Sequence, residues 1–358
     1  MINDKLHYIS LANVDGVGVS TFLKLLKHFG SASNVYAQTP QVLASFVSMA
    51  VAQNILRNNS LDKVAKIQQW VLEKENRYII TLEDDNYPYS LAEIDTPPVL
   101  LFAEGNIGLL ANNNKLAMVG ARNPSPQGLE NAKMFAHDLS SSGITIVSGL
   151  ALGIDAASHI GALSGIGSTI AVLGTGIDMI YPKSNTALTA QVKQHGLVLS
   201  EYPLGTPPMV ANFPRRNRIV VGLSRACLVV ESAIDGGSMI SARYALDYGR
   251  DVMAIPGSIH NPLARGCHKL IKQGAKLIET VTDIKEEIFV EDRQIKQAEL
   301  AIVETDVFLQ QMGFDPITLD KLNTLVKMDF GQLCGKLLEY ELSGVVVNCG
   351  GGKYQRIK

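Results

Sequence analysis

Cysteine is scarce. Cys227, Cys267, Cys334 and Cys349 are the four in 358 residues, and no two of them stand in a CxxC spacing. That excludes a thiolate metal set of the zinc-ribbon kind and leaves no sign of a disulfide framework, so free thiols in a reducing cytosol are expected. Long apolar runs are lacking too. No uninterrupted stretch approaches the roughly 18 residues that a membrane helix needs. The N-terminus MINDKLHYIS carries an acid and lacks the apolar core of a signal peptide. The expectation is a cytoplasmic protein with no membrane partner. Also absent are the GxGxxG dinucleotide fingerprint and a GK[ST] phosphate loop, since GLALGID and GTGIDMIYP are glycine turns of neither kind. Asp155 and His159 stand one helical turn apart, but no further His or Cys completes a metal set, so they read as a helix cap and a packing histidine. No cofactor and no metal are expected.

Acid is the other local absence. No Asp or Glu occurs between Glu104 and Glu130, between Asp178 and Glu201, or between Glu201 and Glu231. The first two windows hold Arg122 and Lys183; the third holds Arg215, Arg216, Arg218 and Arg225 within ANFPRRNRIVVGLSR. The formal net charge of -2 hides this, because residues 115–283 carry 15 Lys and Arg against 11 Asp and Glu while the rest carries 17 against 23. Basic windows of this kind attract anions even in a slightly acidic protein. Arginine, with a permanent charge and a planar fork of donors, suits phosphate.

What is there is a folded chain, 46% hydrophobic and 18% charged, long enough for two or three domains. Residues 1–75 read as short helices. NVDGVGVSTFLKLLKHFGS has a Gly-Val-Gly turn and then Phe22, Leu25, Leu26 and Phe29 at helical period, a tight helix-helix turn that can also offer N–H groups to a phosphate. Residues 76–114, with Pro88, Pro97 and Pro98, read as a connection. From 115 to 284 short apolar runs (LAMVGA, ITIVSG, TIAVLGTG, LVLSEY, ACLVVE, DVMAIPG) alternate with helical stretches. Strands apolar throughout and separated by helices predict a parallel sheet buried on both faces, an α/β core that binds ligands at the carboxyl ends of its strands. Residues 285–298 are a charged linker. Residues 299–358 read as three helices and a hairpin around Gly350 to Gly352, a winged helix.

The strand ends collect Gly, Ser, Lys and Arg: Gly120 and Arg122 after the first strand, Ser148 and Gly149 after the second, YPKSN after the third, the arginine cluster after the fourth, and GGS (236–238) after the fifth. Free N–H groups at glycine turns and helix starts bind phosphate. Tyr181, Tyr202 and Phe213 lie beside the basic loops, as single-strand binding by a basic groove with aromatic stacking requires.

MVGARNPSPQG, SGLALGIDAASHIGAL, AVLGTGIDMIYPKSN, LSEYPLG, FPRRNRIVVGLS, VVESAIDGGSMISARYALDYGRDVMAIPGS and GCHKLIKQGAKLI, in this order over 115–283, closely resemble the bacterial DNA-processing protein A family, also called Smf. The N-terminal helices look like that family's SAM-like domain with a helix-hairpin-helix flavour, and the C-terminal residues like its winged helix. The resemblance implies an extended Rossmann fold that dimerises, and a non-enzymatic single-stranded DNA binder that protects incoming strands and loads RecA recombinase in natural transformation. Carried over by motif, Gly120 and Arg122 match the family's G-x-R, Lys183 and Asn185 its YPKSN stretch, and Phe213, Arg215, Arg216, Asn217 and Arg218 its aromatic-plus-basic segment. Ser148, Gly149, Gly237 and Ser238 would line the pocket. Ala121 stands where many members have Ser.

Two other classes compete. A phosphoribohydrolase-like nucleotide-processing enzyme would use Glu201 and Glu231 at strand ends, but the PGGxGTxxE signature is missing, because in ESAIDGGSM the glycines follow the Glu. A double-stranded DNA regulator would use the winged helix. Its candidate recognition helix, Asp329 to Leu342, holds Lys336 against Asp329, Glu339 and Glu341, where phosphate contacts need Lys or Arg.

Overall fold

The computed structural model describes residues 2–57, 61–288, 307–313 and 316–356. It forms two compact units, Met1–Ile288 and Phe289–Lys358.

The first unit opens with helices α1 (Ile2–Ala12), α2 (Val19–Phe29), α3 (Ala32–Tyr36), α4 (Pro40–Leu43), α5 (Met49–Leu56) and α6 (Leu61–Leu72). Then follow β1 (Arg77–Thr81), α7 (Tyr89–Ala92), β2 (Leu100–Gly105), β3 (Lys115–Val119), α8 (Pro126–Ser141), β4 (Thr145–Ser148), α9 (Ile154–Ala162), β5 (Thr169–Val172), α10 (Thr186–His195) and β6 (Leu197–Ser200). After these come α11 (Asn212–Gly222), β7 (Ala226–Val229), α12 (Ser238–Asp247), β8 (Asp251–Ala254), α13 (Arg265–Lys272), β9 (Lys276–Leu277) and α14 (Val281–Ile288).

Among the described residues the strands form one nine-stranded sheet, ordered β1-β2-β6-β5-β4-β3-β7-β8-β9. From β6 through β9 every neighbour is parallel. The chain winds outward from β3 to β6, then returns across the sheet to add β7 on the other side of β3. The order therefore reverses at β3 and β7, which opens a crevice at their carboxyl ends. The expected α/β class holds, and the apolar strands are buried throughout because helices cover both faces.

The stretch 76–114 differs from its reading as a connection. It supplies β1 and β2, which extend the parallel sheet by an antiparallel pair: β1 on β2, and β2 on β6. The prolines permit this, since they lie outside both strands. Period-2 alternation in β2 sends Leu101 and Ala103 into one core with α11 and α12, and Leu100 and Phe102 into another with the N-terminal helices. Trp70 of α6 meets Phe102 edge-on at 5.9 Å. Buried Glu104 of β2 is ion-paired with Lys74 at 2.8 Å and Lys193 at 2.7 Å. Residues 1–75 thus share a core with the sheet and belong to the same compact unit.

The second unit holds α15 (Val307–Met312), β10 (Ile317–Thr318), α16 (Leu319–Val326), α17 (Phe330–Leu342), β11 (Val346–Gly350) and β12 (Lys353–Arg356), the last two antiparallel. Leu309, Leu322, Leu333 and Leu337 form its core. Most of the expected linker, 285–298, lies outside the described residues. No described helix is long and apolar enough to cross a membrane.

Candidate nucleic-acid interface

At the β3–β7 crevice lies a cleft of about 480 Å³, lined among others by Gly120, Arg122, Gly149, Phe213, Asn217 and Gly237. Its floor is the turn after β4. Arg216, on the first turns of α11, is buried at 4% exposure and lies against Gly149, where no Cβ would fit. Its Nη1 donates to the carbonyls of Gly149 and Val172, and its Nε donates to Asn217 Oδ1 at 3.2 Å. Burial lowers the Arg216 pKa from its ordinary value while Asp155 pulls the other way, and an arginine so placed still carries its charge. Asp155 is the single acid among the described lining residues. Its Oδ2 accepts from Gly149 N–H at 3.1 Å, and burial pushes its carboxyl up against the pull of Arg216.

The turn is fixed from beneath. His159 is fully buried, and its Nε2 accepts from Leu150 N–H at 3.3 Å. The Thr169 hydroxyl donates to the Ile146 carbonyl, so it accepts from His159 Nδ1 at 2.7 Å. One neutral tautomer satisfies both bonds, and burial drives the His159 pKa down to about 3.

The rim carries the exposed chemistry. Arg122 is exposed, with its guanidinium carbon 5.9 Å from the centroid of the Phe213 ring. Phe213 in turn lies 5.3 Å from the ring of Tyr181, which is 47% exposed. Lys183, exposed, follows Tyr181 by two residues in a short 3-10 turn, Lys183–Asn185. On the far wall Gly237 caps α12 with no side-chain bond to its first N–H groups, and the helix start faces the cleft. A guanidinium, two aromatic rings and an open helix N-terminus around a positively charged floor can take a phosphate and a planar base together.

Comparison with known proteins agrees with that chemistry. The family model described as DNA recombination-mediator protein A matches residues 78–289, and one described as DprA winged helix domain matches 296–352. The protein Smf of Synechocystis is 32% identical, over 99% of each chain. DNA processing protein DprA of Streptococcus pneumoniae is 48% identical over 56% of this chain and 71% of its own. Its X-ray structure superposes with a TM-score of 0.69 at 38% identity, covering 78% of this chain and 96% of that one. A Helicobacter pylori DNA processing protein A, whose structure is described as giving insight into a single-stranded DNA binding mode, superposes at 0.55 with 30% identity, covering 60% and 96%. The chain belongs to the DNA recombination-mediator protein A (DprA/Smf) family.

In this DprA-family chain the residues expected at the site divide into three groups. Gly120, Arg122, Gly149, Phe213, Arg216, Asn217, Gly237 and Ser238 line the cleft. Ser148 and Asn185 lie beneath it: the Ser148 hydroxyl donates to the Met118 carbonyl at 2.6 Å, and Asn185 Nδ2 donates to the Leu150 carbonyl at 3.0 Å. They shape the floor rather than face the opening. Lys183, Arg215 and Arg218 are not among its lining. Arg218 is 3% exposed, pairs with Glu201 and donates to the Thr96 carbonyl at 2.7 Å. Arg215 is exposed on the other side of α11, 3.9 Å from Glu201 Oε1. One continuous arginine rim is therefore not formed, because helical spacing turns neighbouring arginines to different sides of α11.

The carboxylates of the enzyme alternative are engaged elsewhere. Glu201 holds Arg218, and Glu231 accepts from Ser125 N–H at 2.8 Å, from its hydroxyl at 2.7 Å and from Asn261 Nδ2 at 2.8 Å. Sequence reasoning missed Asn123 and Ser241 as lining residues. Ser241 is fully buried and its hydroxyl has no hydrogen-bond partner. Its spacing of three from Ser238 on one helix face was the available signal.

Proposed function

We propose that this chain binds single-stranded DNA in the β3–β7 cleft without turning over a small molecule, protects the incoming strand and loads RecA recombinase onto it in natural transformation, acting as a homodimer through the Rossmann-like core. The observation that carries the binding reading is the Arg122–Phe213 pair at 5.9 Å above the charged Arg216 floor. It offers a cation to the sugar-phosphate backbone and a ring face to the base, and every base has such a face, so sequence tolerance follows. The single-stranded DNA binding mode described for the Helicobacter pylori relative supports the strand as ligand. RecA loading and the homodimer rest on the family resemblance alone, and a cytoplasmic location on the free thiols expected from the cysteine spacing. Engagement of Glu201 and Glu231 in structural bonds supports the non-enzymatic reading. The test is a gel shift comparing single- and double-stranded oligonucleotides, with nucleotide hydrolysis followed in parallel. Preference for the single strand and no turnover are expected. Equal affinity for both forms, or sustained hydrolysis lost in Glu231→Gln, would sink the reading.

A further inference from the structure

A second cavity, about 290 Å³, lies in the same compact unit and is lined by Arg215, the neighbour of Arg216 on α11. Among its lining residues are Asn13, Gly16 and Gly18 of the turn between α1 and α2, then Glu201, Tyr202 and Arg215. The size is near the lower end of the roughly 300–1,000 Å³ of small-ligand pockets. Three observations describe what it accepts.

The first is the open start of α2, an 11-residue helix. Its N-cap is Gly18, with no side-chain bond to the helix N–H groups, and a Cβ at Gly18 would meet nothing within 4 Å. Such an end favours an anion. Arg215, 53% exposed, lines the same cavity. Lys63 pins the turn, donating to the Asn13 carbonyl at 3.0 Å and pairing with Asp15 at 2.6 Å.

The second is a buried acceptor. Asn13 is 5% exposed and lines the cavity, and its Oδ1 has no hydrogen-bond partner; the Glu201 side chain, 6% exposed, lines it too, with Oε1 ion-paired to Arg215 Nε at 3.9 Å. A buried polar atom left unpaired is costly and wants a donor. Bare phosphate at neutral pH offers an anion but few donors. A nucleotide offers both, a phosphate and the N–H edge of its base, and each of the four bases carries such an N–H.

The third is continuity. Arg215 adjoins Arg216 of the main cleft, and Tyr202 donates its hydroxyl to the carbonyl of Asn212, the residue before Phe213, at 3.2 Å. Consecutive residues of α11 thus line the two cavities, Arg216 the cleft and Arg215 the second.

We infer that this cavity is a second nucleotide subsite. It takes a nucleotide of the same single strand as it leaves the cleft, with the phosphate between Arg215 and the α2 N-terminus and the base edge on Asn13 Oδ1. The inference rests on the proposed reading of the cleft, yet the two fail separately.

The experiment measures anisotropy of labelled oligothymidines of graded length on the full chain, from about 4 to about 16 nucleotides, the span of known single-strand site sizes. Thymidine monophosphate serves as a free-nucleotide arm. The variants are Gly18→Asp and Arg215→Gln. Gly18 has φ −85° and ψ 173°, the extended N-cap conformation, with open space above it. Aspartate is a preferred cap there, so the variant should melt no lower than wild type while placing a carboxylate where the phosphate sits. Wild-type affinity should rise in two steps with length. Gly18→Asp should erase the second step, by roughly tenfold, and leave the shortest oligonucleotides unaffected. Arg215→Gln should lower the salt slope of the long oligonucleotides by roughly 0.7. A single step in wild type, a Gly18→Asp profile overlaying wild type, or sensitivity to Gly18→Asp seen only with the mononucleotide overturns the second subsite. Failure of even the shortest oligonucleotides to bind wild type overturns the cleft reading instead.

Discussion

Arginines in one short stretch do different work according to burial. Arg122 is exposed beside Phe213, so its loss removes a phosphate contact and little packing. Arg122→Ala should weaken binding alike for all sequences and reduce the slope of log affinity against log salt by roughly 0.7. Phe213→Ala should cost roughly 1–3 kcal/mol of binding with the slope unchanged, because stacking releases few ions. Salt titrations of the two variants side by side separate these outcomes; wild-type affinity and slope in Arg122→Ala would misplace the site. Arg218→Met is a different experiment. It leaves Glu201 buried without its partner, which should cost roughly 3–5 kcal/mol of stability, read by urea denaturation. His159 gives a pH dependence. Its folded pKa, about 3, lies below the ordinary 6.5, so between those values the unfolded chain binds a proton that the folded chain refuses. Stability is complete above about pH 6.5 and falls as pH drops toward 3, by up to about 1.4 kcal/mol per pH unit from this group. His159→Gln should flatten that part of the stability profile.

Elements in this protein are tied at their ends. Helix α8 begins at the carboxyl end of β3 on the Ser125 cap, and Glu231 after β7 accepts from that same residue, which fastens the two halves of the sheet across the crevice. A carboxylate at a helix start is also favoured by the helix dipole. Gly128 gives it room, since a Cβ there would lie 2.6 Å from Glu231 Oε2. Gly128→Ala should destabilise the fold by roughly 1–3 kcal/mol through overpacking. The Cm in urea should fall with the m-value unchanged, and an unaltered Cm would show that Glu231 moves freely. The turn after β4 is held likewise. Leu150 sits at φ 58°, a left-handed conformation unusual for leucine, kept there by bonds from its N–H to His159 and from Asn185 to its carbonyl.

At the scale of the whole chain, the cleft lies within the first unit, and the candidate recognition helix of the second has little to offer a phosphate backbone. On α17 the basic residue is Lys336, whose ammonium lies 5.2 Å from the Phe308 ring and 5.8 Å from Tyr340, over its own domain's aromatics. Glu339 and Glu341 stand on the same helix. Truncation after Ile288 should therefore retain most single-strand affinity, measured by the same gel shift. Loss of nearly all binding in a truncation that still melts cooperatively would assign the second unit a direct role. With a formal charge of -2, the proposed binding draws on the local field of the cleft rather than on attraction by the whole molecule.

Apolar strands alternating with helical stretches, and glycines, serines and cations gathered after each strand, are local properties of the chain. They sufficed for the parallel core and for bringing Arg122, Gly149, Phe213 and Gly237 to one crevice at its strand ends. The family motifs over 115–283 are equally local. Three things were decided only by tertiary contact. Strands β1 and β2 were hidden because a short apolar run among prolines does not show what it pairs with, and β6, the partner of β2, lies about a hundred residues away. The fates of Arg215, Arg216 and Arg218 were hidden because sequence shows charge, while burial depends on what packs against each side of α11. Glu201 lies 17 residues from Arg218, and the Gly149 carbonyl lies 67 residues from Arg216. Ser148, Asn185 and Glu231 look like ligand groups in the chain and act as braces in the fold. A buried hydroxyl, amide or carboxylate must bond to whatever lies nearest, and only the packed structure brings that neighbour into place.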